Sequence, residues 1–371
     1  MVDRRRIVRL WGAGGAQALV TLIGVEGSSY RRPGAHLLIG EAGECAGMIS
    51  GGCLEAEVVR KAMWMVRAGA VVERYSTLFD DTAELPFGLG CGGVVDLLLE
   101  PVDTPECRAL LAAMKDSLRG CESRVVTWLP GNERAMRRVV IDADGVVIFR
   151  SEGLNTAELD AIADHFLAPV DSNSEVFVET LSAPQRLFVL GAGEDAKPVV
   201  TMASLLGWNV IVIDGRAHLA RAERFAEAER VLAIASVAEL EITAKDAVVV
   251  MTHSYDQDRA YLAELLAGAA GYIGLLGAMH RSSLLIGEAA AMLGQSVAEC
   301  CQRVWAPVGM DLGGDGAEAI ALAVVAEVQA WRQGKLGTTR RLSAEDVTRQ
   351  IELGGASRYL QTQCTMGTAE R

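Results

Sequence analysis

Leu187-Phe188-Val189-Leu190-Gly191-Ala192-Gly193-Glu194-Asp195-Ala196 is the stretch on which the fold of this chain turns. A continuous apolar run reads as a strand buried on both faces, and the glycines that follow read as a tight turn into a helix running to Leu206. The next apolar strand, Asn209–Ile213, ends in Asp214, 21 residues beyond Gly193. That is where a dinucleotide fold places an acid against a ribose. Further apolar strands are expected at Arg230–Ile234, Ala247–Met251 and Tyr272–Leu276. Strand–helix alternation of this kind predicts a Rossmann-like, doubly wound parallel sheet with helices on both faces. A helix over Gly316–Arg332, apolar along one side, covers it. Gly191, Gly193, Asp214 and His253 are the nucleotide-binding candidates, with NAD(P) or another nucleotide as the ligand. Arg216, just past Asp214, leaves the choice between NAD and NADP open.

Thr252-His253-Ser254-Tyr255-Asp256-Gln257-Asp258 follows the fourth strand, at the carboxyl edge where such sheets bind ligands. His253 beside Asp256 and Asp258 reads as an acid–base pair or as metal ligands, and equally as an exposed histidine at a helix start. Cys300-Cys301 reads as buried packing.

Upstream, Ser182-Ala183-Pro184-Gln185 marks a boundary, because the grammar changes there. Residues 1–183 form a first domain, 184–332 the Rossmann-like domain and 333–371 a polar tail. The fold class is therefore α/β, with an N-terminal α+β domain built on a mixed or antiparallel sheet. It opens with a short helix in 1–17 and strands at Ala18–Val25 and Ala35–Ile39. A β-meander follows over Arg124–Leu129, Arg137–Ile141 and Val146–Phe149, where Asp142-Ala143-Asp144-Gly145 is a hairpin turn, and a helix is expected near Thr156–Phe166.

Two cysteines of this domain stand in glycine frames: Ser50-Gly51-Gly52-Cys53-Leu54-Glu55 and Gly88-Leu89-Gly90-Cys91-Gly92-Gly93. Glycine at that density marks turns or close approach of backbone to something bound. Apolar residues at Leu54, Val58, Ala62, Met65 and Val66 predict a helix whose first turn holds Cys53 and whose free amides Ser50 caps. Unpaired N–H groups there favour a thiolate, whereas Glu55 and Glu57 oppose it. A lone cysteine is also a common small buried residue. The loop Gly27-Ser28-Ser29-Tyr30-Arg31-Arg32-Pro33-Gly34 carries two arginines suited to an anion such as phosphate.

Composition narrows the function classes. The 371 residues are half hydrophobic and 22% charged, with 39 glycines, which is ordinary for a globular chain of two or three domains apart from the glycine excess. A net charge of −13 argues against nucleic-acid or anionic-membrane surfaces. Eight irregularly spaced cysteines make no disulfide framework, and no C-x-x-C pair suggests structural zinc. Reduced thiols in a cytosol are the expectation, and no apolar run approaches the ~20 residues of a membrane span.

Taken in order, Gly27–Gly34, Ser50–Glu55 and Gly90–Gly93, with Thr252-His253, Gly274-Leu275-Leu276-Gly277 and Pro307-Val308-Gly309-Met310-Asp311-Leu312-Gly313, resemble the xanthine dehydrogenase accessory protein family of the XdhC/CoxI type. The likeness spans about residues 5–332. Departures include Tyr30, where the family often has Pro, and Ala278-Met279-His280 in place of a more basic run. The resemblance implies a maturation factor and chaperone. Such a protein binds molybdenum cofactor, promotes exchange of an oxo for a sulfido ligand, and serves insertion into a molybdenum hydroxylase of the xanthine dehydrogenase type. On this reading Cys53, Cys91, Gly51, Gly52, Gly90, Gly92, Arg31 and Arg32 hold the cofactor, and either thiol approaches molybdenum. A cysteine desulfurase is a second partner and a homo-oligomer the expected assembly. The alternatives are an NAD(P)-dependent oxidoreductase using the second domain, and a scaffold that recruits desulfurase and target enzyme.

Overall fold

The computed structural model describes residues 1–52, 54–76, 93–131, 135–154 and 175–337. They group into two compact units, one over residues 3–183 and the other from Pro184 onward with Met1 and Val2. The helix expected near Thr156–Phe166 and the polar tail beyond residue 337 lie outside the described residues.

The first unit opens with α1 (Val2–Ala13) and then builds β1 (Ala16–Gly27), β2 (His36–Gly40), β3 (Cys45–Gly47), α2 (Glu55–Met65), β4 (Val71–Ser76) and β5 (Gly93–Pro101). The five strands form one sheet in the order β3-β2-β1-β5-β4. Every ladder in it is antiparallel, which narrows the mixed or antiparallel expectation to one of its terms. Period-two alternation explains its burial. Ala18, Val20 and Leu22 face α2 with Val58, Ala62, Ile49 and Leu54. Leu19 and Leu38 face the other way, against Ile7 of α1 and the next layer. The short strand β3 has no signal of its own in the sequence; it forms because the turn at residues 41–44 returns the chain beside β2.

That next layer is α3 (Pro105–Ser117) and a second antiparallel sheet of β6 (Ser123–Trp128), β7 (Arg137–Asp142), β8 (Val147–Arg150) and β9 (Val176–Leu181), ordered β8-β7-β6-β9. Thr104 caps α3 through its side-chain oxygen, which accepts from the Cys107 amide, and Pro105 opens the helix. Asp142 makes the expected hairpin turn, its carboxylate accepting from the Asp144 and Val146 amides. Arg138 on β7 is fully buried and forks onto Glu100 of β5 with two bonds of 2.9 Å. It also donates to Thr127 Oγ1 and the Glu106 carbonyl. The planar guanidinium thus spends its donors on a neighbouring strand, a helix and the facing sheet at once.

The second unit is a parallel sheet of β10 (Arg186–Leu190), β11 (Asn209–Ile213), β12 (Arg230–Leu232), β13 (Ala247–Val250), β14 (Tyr272–Leu275) and β15 (Val304–Trp305). Its order, β12-β11-β10-β13-β14-β15, is the doubly wound order in which the strand sequence, not the strand direction, reverses beside the first strand. The helices α4 (Ala196–Leu205), α5 (Tyr255–Ala267), α6 (Met279–Leu293), α7 (Val297–Arg303) and α8 (Ala317–Arg332) cover it. One face carries Phe188, Ile211, Val248 and Ile273 against α5 and α6. The other carries Leu187, Val210, Val249 and Tyr272 against α4 and α8. Cys300 packs in the core, but Cys301 is exposed, so only the first follows the buried-packing expectation. Successive positions on a helix point about 100° apart, enough to turn Cys301 off the buried face. Among the described residues no single helix is long and apolar enough to cross a membrane.

The buried pair yields a stability test. Glu100→Gln leaves the Arg138 charge without its partner and should cost about 3–5 kcal/mol, read from the midpoint of denaturant unfolding. The double change Glu100→Leu with Arg138→Met should cost much less, because no uncompensated charge remains.

Candidate functional site

Antiparallel neighbours alternate direction, so one edge of the first sheet collects the end of β1, the starts of β2 and β5, and the ends of β3 and β4. The loops over residues 28–35 and 48–54 both leave from this edge. The chain also departs from it at Ser76 and returns at Gly93. Gly27 pairs with Gly93 across β1 and β5. A Cβ on Gly93 would lie 2.3 Å from the Ser28 carbonyl oxygen, so only glycine permits the first loop to press there. Gly51, in the second loop, lies under the Tyr30 ring of the first: its Cβ position is 3.5 Å from Tyr30 Cγ. Gly51, Tyr30 and Gly93, drawn from three separate motifs, thus flank one loop cluster. Cys53, Gly90, Cys91 and Gly92 lie outside the described residues.

Several details depart from expectation. The helix begins at Glu55, two residues after the position expected to sit in its first turn. Ser50 does not cap the helix, whose N-cap position is Leu54 with no side-chain cap bond; its hydroxyl accepts instead from the Gly52 and Leu54 amides of the preceding loop. Glu55 folds back instead of lying along the helix, and its carboxylate accepts from the Ile49 and Ser50 amides and the Ser50 hydroxyl. Burial pushes that carboxyl up, but these donors outweigh it and hold it below the usual range. Four amides of the loop are therefore spent internally, on the loop's own oxygens, and are withdrawn from any ligand. Gly52 is held at φ +104°, a left-handed conformation that favours glycine. Of the two arginines, Arg31 pairs with Asp3 of α1. Arg32 is exposed, and its guanidinium is uncommitted among the described residues. Arg32 and the Tyr30 ring fit a planar anion; the loop amides fit it less well. Glu57 is bound to Arg60 and Lys61 on its own helix.

In the second unit the carboxyl edge of the sheet gathers the glycine turn, Asp214 and the loop after β13. Gly191 sits at φ +130°, and a Cβ there would lie 2.4 Å from the Met251 carbonyl. Asp214 is fully buried. One of its oxygens accepts from the Ala192 amide and Arg216 Nη2, the other from the Arg216 amide and Nε. Those four donors occupy the lone pairs a ribose would need. At the glycine turn stand Glu194, paired with Lys197 and Arg224, and Asp195, whose carboxylate meets His253 Nε2 at 2.7 Å. Two carboxylates at the start of α4 oppose a diphosphate there.

His253 therefore pairs across the sheet with Asp195, not with Asp256 or Asp258. It is the one non-glycine residue at positive φ, +60°, among the described residues. Asp258 turns inward to Thr252 and Arg281, and Asp256 pairs with Arg259. Among the described residues no group of three or more His, Cys, Asp and Glu is arranged to hold a metal ion. The roles of Asp195, Arg224 and Arg281 had no local signal, since each meets a partner more than twenty residues away in sequence.

An antiparallel domain with glycine-rich loops at one sheet edge, followed by a doubly wound domain whose ribose acid is already filled, defines a two-domain protein of Rossmann type with an appended loop site. The family model described as the XdhC Rossmann domain matches residues 187–328, and that of the XdhC and CoxI family matches residues 10–76. The chain belongs to the XdhC and CoxI family. It is 27% identical over 314 residues to a probable xanthine dehydrogenase subunit of Bacillus subtilis, covering 84% of this chain and 91% of that one. It is 24% identical over 335 residues to the molybdenum cofactor insertion chaperone PaoD of Escherichia coli, covering 89% of each. A crystal structure from Bacillus halodurans, described as a xanthine dehydrogenase, superposes with a TM-score of 0.76 at 27% identity, covering 94% of this chain and 99% of that one.

Asp214 gives the test for this edge. Burial pushes its carboxyl up, but the donors from Arg216 and the Ala192 amide outweigh burial and hold it below its ordinary value. Its contribution is complete above pH ~4 and is lost as pH falls through the lower folded-state value. Asp214→Asn should cost about 2 kcal/mol at neutral pH and flatten the acid limb of a stability–pH profile.

Proposed function

We propose that this protein is a maturation factor for a molybdenum hydroxylase of the xanthine dehydrogenase type. The observation that carries the reading is similarity along almost the whole chain, both units included, to a molybdenum cofactor insertion chaperone and to a probable xanthine dehydrogenase subunit. In this reading residues 1–183 are the cofactor-binding domain and 184–332 the partner or regulatory domain. The protein works in the cytosol as a homo-oligomer and receives sulfur from a cysteine desulfurase. When bound there, the cofactor would supply a dithiolene-held molybdenum, the centre that the target enzyme needs. The chain's own residues bind and shield it. Arg32 meets the phosphate, Gly51 and Gly52 with Gly90 and Gly92 let backbone approach it, and Cys53 and Cys91 offer soft sulfur to the metal.

The thiols are tested by titrating wild type and the Cys53→Ala, Cys91→Ala double variant with cofactor released from a molybdenum hydroxylase. At least tenfold weaker binding by the variant is expected. Equal affinity removes the thiols from the site.

The strand order of the second unit favours a further reading, a nucleotide at its carboxyl edge, and with it the oxidoreductase alternative. The geometry around Asp214 requires Arg216 to swing away first. Calorimetry with NAD, NADP and their reduced forms should show no micromolar binding to wild type. If the fold retains a latent site, Arg216→Ala, which frees two lone pairs of the carboxylate, gains measurable affinity. Micromolar binding with turnover by wild type would establish the oxidoreductase instead.

A further inference from the structure

Tyr30 is a large aromatic side chain left 72% exposed in the loop that touches both other motifs. Its ring does not wave free. The Cβ position of Gly51 lies 3.5 Å from Cγ and 3.8 Å from both Cδ atoms, so it sits over the ring plane and not at the ring edge. One face of the ring is thus turned toward Gly51, across a space that a Cβ there would fill, while most of the side chain stays open to solvent. The anchorage is firm on the side of the loop. The Gly34 amide donates to the Leu22 carbonyl and the Ala35 amide to the Arg32 carbonyl, closing the segment back onto β1. Arg31 is tied to Asp3, which fixes the residue next to Tyr30. Arg32, two positions on, has its guanidinium uncommitted among the described residues.

Water exposure of this much aromatic surface is unfavourable, and burying it against a partner recovers that free energy. A planar heteroaromatic ring is the ligand that does so without moving the loop, because every such ring presents a π face. Arg32, an exposed cation two residues away in the same loop, suits an anionic group on such a ligand.

We propose that Tyr30 is the stacking platform for the pterin ring of the bound cofactor, with Arg32 as the cation that meets its phosphate. The inference rests on the cofactor-binding reading given above and adds to it the residue that recognises the ring system. Tyr30 positions the cofactor and takes no part in the ligand exchange. Gly51 leaves the inner face of the ring clear of any side chain. A side chain at 51 would still make ordinary contact with the ring, so the loop tolerates alanine, and a bulkier residue tilts the platform.

The experiment compares wild type with Tyr30→Phe, Tyr30→Leu and Arg32→Ala, using molybdenum cofactor released from a molybdenum hydroxylase and, separately, pterin-6-carboxylate as a fluorescent probe. The exposed position keeps all three variants folded, which circular dichroism checks. Tyr30→Phe keeps the π face and should bind both ligands within about threefold of wild type, whereas Tyr30→Leu should bind each roughly tenfold or more weakly. Quenching of pterin fluorescence should persist in Tyr30→Phe and disappear in Tyr30→Leu, a change that a purely structural role would not produce. Arg32→Ala should weaken the phosphate-bearing cofactor far more than the phosphate-free pterin. If wild type binds the cofactor and Tyr30→Leu binds it equally well with the same quenching, the platform is wrong and the cofactor reading stands. If wild type binds no cofactor, the reading itself fails and the platform with it.

Discussion

The antiparallel pairing of β1 with two neighbours, β2 on one side and β5 on the other, is the constraint on which the first unit depends. An antiparallel ladder reverses direction at each step. Three connections that are far apart in sequence must therefore open at one edge: 28–35, 48–54 and the segment bounded by Ser76 and Gly93. Close packing at that edge is then a matter of backbone clearance. Gly93 admits the Ser28 carbonyl, Gly47 admits the His36 carbonyl, and Gly51 lies beneath Tyr30. Side chains at the first two would push the loops apart before any ligand arrived.

Within that cluster the polar groups divide between those that hold the loops and those left over. Ser50 and Glu55 satisfy four amides of their own loop, and Asp3 takes up Arg31. Satisfying backbone donors internally makes a rigid loop, but it withdraws the same donors from a ligand. What remains outward is the Tyr30 ring and the Arg32 guanidinium, an aromatic face and an exposed cation. The second unit shows the same economy. Asp214 has the position of a ribose acid, yet Arg216 and the Ala192 amide fill it. The turn at Gly191–Gly193 then acts as a packing device beneath Met251 in addition to any role toward a ligand.

The two units also differ in how charge is buried. Glu100 and Arg138 lie wholly inside the first, where only a bidentate fork with further donors to Thr127 and Glu106 compensates their desolvation. Such a pair contributes little net stability, but it penalises any arrangement in which the two sheets meet out of register. In the second unit Asp214 and Asp258 are likewise buried but each meets a part-exposed arginine, Arg216 and Arg281, while the Asp195–His253 pair is open to solvent on its histidine side.

Much of this was legible in the residues themselves. Apolar runs with glycine stops located five of the six strands of the second unit and their parallel order of appearance, because a strand buried on both faces needs continuous hydrophobicity; the two-residue β15 is too short to leave such a run. Alternation marked the meander, and glycine density marked the loops at Gly27–Gly34 and Ser50–Glu55 as places of close approach. The family likeness followed from those motifs in order. Local pattern carries such information because it reports how each segment meets water. Pairing between distant residues has no such local signature. That His253 faces Asp195 and not its neighbours Asp256 and Asp258, that Arg216 closes Asp214, and that Arg31 turns to Asp3 while Arg32 does not were decided only when the chain folded. Each depends on which strand ends and helix starts lie side by side, a property of the tertiary structure set by packing of whole elements and not by the residues adjacent in sequence.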